Sequence, residues 1–166
     1  MKNVFLICLI LVILISTAAF SFKEPYNKDF KEKNYIALDK LPKEYNFDMA
    51  LANGDIVPFT NKDYNSEKFL RFYEAYENKK LKNGDMIRIT KYSVEGYAYI
   101  EDLIYRNGKL TLIADNTRNE YANPKHRVIE EYKIVDIYTE KNMYRLAYIG
   151  KTEKGEEVVI ISLLEK

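Results

Sequence analysis

Cysteine, histidine and tryptophan are almost missing from this sequence. Among 166 residues there is one cysteine, one histidine and no tryptophan. Cys8 lies inside an apolar run between Ile7 and Leu9. It lacks the small-residue context of a lipoprotein cleavage site and reads as a small hydrophobe. The chain beyond that run contains no cysteine, which excludes a disulfide and a thiolate metal site. His126 sits in NPKHR, beside a proline and basic residues, the setting of an exposed loop. With one histidine, zinc would have to rely on carboxylates, so no metal is expected. No Ser-x-Gly elbow, His-Glu-x-x-His run or Gly-rich phosphate loop is present, so no catalytic set and no cofactor are expected. The stretches NGDIV and NGDMI do not continue into a calcium-loop pattern and read as turns.

An excess of charge is missing too. Lys plus Arg number 26 against 25 Asp plus Glu, a formal charge of +1. A domain this neutral has no global field to draw it to nucleic acid, and none is expected as a partner. The 47% of hydrophobic residues is enough for a core and argues against wholesale disorder. The length suits one domain with a short appendage.

That appendage is apolar. MKNVFLICLILVILISTAAFSF carries a basic Lys2, an unbroken apolar run over residues 4–15, then small residues at Thr17, Ala18 and Ala19. Residues 1–20 therefore read as a hydrophobic signal peptide or membrane-anchor helix. The run over 4–20 is borderline for a hydrocarbon core of about 30 Å, so cleavage and anchoring both stay open. Either way the remainder is expected outside the cytoplasm, secreted or held on the outer face of the cytoplasmic membrane. Residues 21–50 are polar, Lys-rich and broken by Pro25 and Pro42, a linker or arm. Tyr35, Ile36, Leu38 and Leu41 give that arm a means of lying against the domain.

Residues 51–166 are expected to form a single α+β domain. Asn65 or Ser66 suits a helix N-cap, and Phe69, Leu70, Phe72, Tyr73 and Tyr76 recur at helical spacing, with Asn83-Gly84 as the stop. From Met86 onward the chain reads as β. Ile87 and Ile89 alternate with Arg88 and Thr90, which predicts a sheet with one wet face. Asn107-Gly108 signals a type I′ hairpin, and further turns are expected at Glu95-Gly96, at Glu140-Lys141-Asn142 and around Lys154-Gly155. Tight turns leave no room for crossovers, so the fold is an antiparallel β-meander of about six strands with one main helix packed on one face.

One polar block breaks the β pattern: ADNTRNEY, at the end of the third hairpin strand. Asp115, Asn116, Thr117 and Arg118 either lock a turn through an Asp–Arg pair, or present Arg118 to an acidic group on a ligand with Asp115 holding it. Glu101 joins these as a candidate ligand-binding residue. Glu101 and Asp102 are adjacent, so on a strand they face opposite ways and cannot act as a carboxylate pair; Glu130 and Glu131 fail alike. One member of each pair is expected to point inward or cap an edge.

Taken in order, NGDIV, NSEKFLRFYE, DMIRITKYSVEG, IEDLIYRNGKLTL and DNTRNEY resemble a family of small exported proteins of Gram-positive bacteria, domain of unknown function 4362. The resemblance runs over residues 53–121 and implies an exported α+β domain without supplying an activity. Many members carry a lipid-accepting cysteine that this N-terminus lacks. The reading that follows is a non-catalytic extracytoplasmic module binding a protein or cell-wall partner at the envelope, with membrane contact through residues 1–20 if uncleaved. The alternatives are a carboxylate-dependent hydrolase using Asp115 or Glu101 as base, and a small inhibitor or immunity-type protein with aromatic anchors.

Overall fold

The computed structural model describes residues 30–120 and 127–165. The leader expected over residues 1–20 and His126 lie outside them. Six strands follow one another: β1 (Asp85–Tyr92), β2 (Ala98–Arg106), β3 (Lys109–Asp115), β4 (Ile129–Asn142), β5 (Arg145–Thr152) and β6 (Glu157–Leu164). Each pairs antiparallel with its successor, so the order in space is the order in the chain. Among the described residues two α-helices precede the sheet, the short α1 (Phe47–Ala52) and the main helix α2 (Ser66–Glu77), after two 3-10 turns at Glu32–Asn34 and Leu38–Lys40.

Local chemistry accounts for most boundaries. Asn107 and Gly108 both take positive φ, +52° and +80°, as a type I′ turn requires, and Arg106 then pairs with Lys109. Two expected stops move. α2 ends at Glu77 rather than at Asn83-Gly84: Asn78 donates its side-chain amide to the Glu74 carbonyl at 2.7 Å, and Lys79 turns left-handed at φ +54°. β4 runs through the expected turn at Glu140-Lys141-Asn142 and pairs Asn142 with Arg145, so the chain reverses at Met143-Tyr144, with Met143 at φ +50°. At the start of α2, Asn65 holds the N-cap position, but its side chain does not cap; it donates to the Asp55 carbonyl at 2.7 Å.

Phe69, Phe72 and Ala75 of α2 bury against Ile87 and Ile89 of β1, Leu103 of β2, Leu110 and Leu112 of β3, and residues of β4 to β6, forming the main core. Phe69 meets the Tyr148 ring edge-on at 4.7 Å. Leu70, part of the expected apolar stripe, faces solvent. Register shifts near Val135 and Ile160 bend the later strands around this core. The two edge strands come close enough for Lys91 Nζ on β1 to donate to the Val159 carbonyl on β6 at 3.3 Å. The outer edge of β6 is blunted: Arg145 donates to the Ser162 carbonyl and Asp63, and Asp63 accepts from the Leu164 N–H. That removes hydrogen-bonding groups on which a foreign strand would pair.

The second face of the sheet corrects the alternation argument. Arg88 and Thr90, expected to be wet, are 1% and 0% exposed. Residues 31–57 fold back across the outer face of β1 to β3 and cover them. Leu41, Tyr45, Ala50 and Val57 pack on Ala98 and Ile100 as a second, smaller core. Ile56 bridges Ile89 in parallel, its N–H donating to the Arg88 carbonyl and its own carbonyl accepting from the Thr90 N–H, both at 2.9 Å. Alternation reports which side chains share a face; it cannot report what covers that face.

Candidate functional site

The polar block sits at one end of this covered face. Strand register puts Thr90, Ile100 and Asp115 in one cross-strand row and Arg88, Asp102 and Ile113 in the next, all on the outer face. Asp115 ends β3. Its Oδ1 accepts from the N–H and hydroxyl of Thr117, at 2.9 and 2.6 Å, the local ring that Asp favours in turns. Its Oδ2 pairs with Arg118 Nη1. The Arg118 guanidinium, 8% exposed, spends its other donors on main chain: Nε on the Pro42 carbonyl at 3.1 Å, Nη2 on those of Leu38 and Leu41 at 3.0 and 3.4 Å. Asn119 contacts the Tyr99 hydroxyl, and Asn116 remains half-buried. The block is therefore both a turn lock and a clasp on residues 38–42.

A second clasp, not anticipated from the sequence, lies one row away. Arg88 donates Nε and Nη2 to both oxygens of Asp102, at 2.6 and 2.8 Å, and Nη1 to the Ile36 carbonyl at 2.8 Å. Its guanidinium carbon stands 5.4 Å from the centre of the Tyr35 ring. Beside it Asp55, fully buried, accepts from Tyr45, Thr90 and Asn53, at 2.9, 2.7 and 2.8 Å. Burial pushes the Asp55 carboxyl above the usual range against three donated hydrogen bonds. The Asp102 carboxyl also goes up, because desolvation outweighs its bond to Arg88. Tyr35, on the arm, is pushed up to about 12 by burial and by the Asp55 charge, and its hydroxyl has no hydrogen-bond partner among the described residues. The alternation of Arg88 and Thr90 was the available signal. Only a cover drawn from far along the chain turns it into a buried network.

Glu101 is not part of this face. It points to the main-core side, opposite Ile89, and pairs with Lys91 at 2.7 Å. Burial raises its carboxyl above the ordinary range, with Lys91 opposing. Adjacent residues thus serve two faces, as strand geometry demands; Asp102 is buried and Glu101 half-buried. Glu130 and Glu131 stay exposed. Lys91 also lines an open groove of about 790 Å³ between the two sheet edges, with Phe59, Tyr92, Val94, Arg145 and Val159. Among the described residues no three His, Cys, Asp or Glu side chains gather as a cation cage.

A model of the family described as a domain of unknown function (DUF4362) matches residues 53–148, more than half of the chain, and the chain belongs to that family. The matched span holds Asp55, Arg88, Asp102, Asp115 and Arg118, while the arm carbonyls that the two arginines grip fall before it. No curated protein and no solved structure matches the chain.

Proposed function

We propose that this member of the DUF4362 family is a non-catalytic binding module, delivered across the cytoplasmic membrane by its leader and working at the cell envelope on a protein or cell-wall partner. The observation that carries this reading is the use to which the polar block is put. Arg118 is fixed by a buried carboxylate and aims its remaining donors at three peptide carbonyls. A guanidinium stays protonated, so it recognises and holds rather than moves a proton. Export is supported by the order of Lys2, the apolar run and the small residues after it. Mass spectrometry of the native N-terminus, on membranes and on culture medium, tests delivery. A chain starting near Phe20 in the medium means secretion, and an intact Met1 in membranes means anchoring. Native protein dissolved in the cytosol with its leader intact overturns export. Turnover of a peptide or peptidoglycan substrate, lost in Arg118→Ala and Asp115→Ala, overturns the non-catalytic reading.

Glu101 supports one alternative, a carboxylate-dependent hydrolase. Its carboxyl is raised by burial, as a general base requires, and pairs with Lys91, which lines the open groove. Loss of a measured hydrolytic activity in Glu101→Gln, with Arg118→Ala retaining it, would select that alternative.

A further inference from the structure

The outer face of β1 to β3 carries a polar track beside the apolar Ala98 and Ile100, and what the arm offers the two arginines of that track is main chain. Arg88 and Arg118 donate to the carbonyls of Ile36, Leu38, Leu41 and Pro42, acceptors that any peptide possesses. Each guanidinium is oriented by its own carboxylate from the sheet side, Asp102 or Asp115. The track is thus built by residues 88–118 and does not depend on the arm for its geometry. The arm's side chains add a small apolar anchor, with Leu41 and Tyr45 buried and Tyr45 donating to Asp55, whereas Ile36 is 51% exposed. The surface ion pairs Arg106–Glu32 and Lys43–Glu120 hold it weakly.

We propose that residues 35–46 are a displaceable strap, and that the track beneath, built on Arg88 and Arg118, is a binding site for a peptide segment that follows the strap's path, including its single 3-10 turn at Leu38–Lys40. The incoming segment's main-chain carbonyls take the places of the strap's. This deepens the binding-module reading and rests on it, but it does not require export. Three features favour release. The strap belongs to the smaller core, so lifting it leaves Phe69, Phe72 and their partners covered. Lifting it returns water to Arg88, Asp102 and Asp55, whose desolvation offsets much of what their contacts contribute. It also frees the Tyr35 hydroxyl, buried without a partner among the described residues, to bond with water.

The test uses the full chain and a labelled synthetic peptide of residues 35–46, followed by fluorescence anisotropy. Leu41→Asp loosens the strap, and circular dichroism checks that the sheet is retained. Apparent affinity scales with the open fraction, so Leu41→Asp should bind the peptide at least about tenfold more tightly than the parent chain. Adding Arg118→Met should abolish the gain. No gain in a folded Leu41→Asp overturns the peptide site, and a gain that survives Arg118→Met overturns the role of the track. Hydrogen exchange on the unsubstituted chain is the second measurement, independent of whether Leu41→Asp folds. Amides of residues 36–45 should exchange ahead of those of β2 and β3; exchange of both only on global unfolding overturns the strap. None of these failures touches the broader binding reading, which falls to turnover lost in Arg118→Ala and Asp115→Ala.

Discussion

Replacing Arg118 with methionine tests the clasp at its centre. Methionine keeps much of the stem and donates nothing. The change removes one bond to the Asp115 carboxylate and three to main-chain carbonyls, of which the 3.4 Å contact with Leu41 is long enough to discount. Asp115, 2% exposed, would keep only the N–H and hydroxyl of Thr117 for a buried charge. Removing one partner of a buried pair costs about 3–5 kcal/mol, chiefly because the other charge is left uncompensated. The arm carbonyls are only part-buried at Leu38 and Pro42, so water can reach them when the donors are lost and their share of the cost is the smaller one. A loss of about 3–5 kcal/mol is a large share of the roughly 5–15 kcal/mol by which domains are stable. Urea unfolding followed by circular dichroism reads it as a drop in midpoint at unchanged slope. Adding Asp115→Asn removes the stranded charge, so the double variant should be less damaged than the sum of the singles, by about 1–3 kcal/mol. A single-variant cost under about 1 kcal/mol, or strict additivity, would refute the buried-clasp argument.

Other outcomes follow from the same structure. The carboxyls of Asp55, Asp102 and Glu101 are all raised by burial, so the native state holds protons that the unfolded chain has already lost. Their stabilisation is fully present below the ordinary carboxylate range and is lost as pH rises through the folded values. The melting temperature should therefore rise from about pH 7 to about pH 5, with Asp55→Asn flattening the slope; a steady fall over that range refutes it. Gly150→Ala would set a Cβ 2.9 Å from Ile134 Cδ1 and 3.1 Å from Ile160 Cδ1, overpacking that should cost about 1–3 kcal/mol in urea unfolding. Phe72→Ala, at a ring 1% exposed in the main core, should cost about 3–5 kcal/mol and leave the exchange of the strap ahead of the sheet.

A polar block that reads from sequence as either a turn or a contact to an acidic ligand is, in the folded chain, a turn lock that also ties down residues 38–42. Asp115 and Thr117 make the turn, and Arg118 binds a peptide segment that belongs to the same molecule. The proposed partner is defined by that geometry: a stretch of main chain that presents carbonyls to both arginines along the bent path of residues 35–46.

By itself the sequence determined what depends on neighbours along the chain. The Asn107-Gly108 turn follows from two residues tolerant of positive φ, and the antiparallel meander from connections too short to cross over. The Phe69 and Phe72 stripe follows from helical spacing, and the Asp115–Arg118 lock from a separation of three residues. The tertiary structure alone decided what those elements meet. Arg88 and Thr90 carry the same alternation as a solvated strand face, and they are buried because a segment 52 residues from Arg88 lies across them. Arg118 finds its carbonyl partners 76 to 80 residues away. Local pattern records the period of a chain and the polarity of its faces; burial is set by long-range closure, which leaves no periodic mark on either partner.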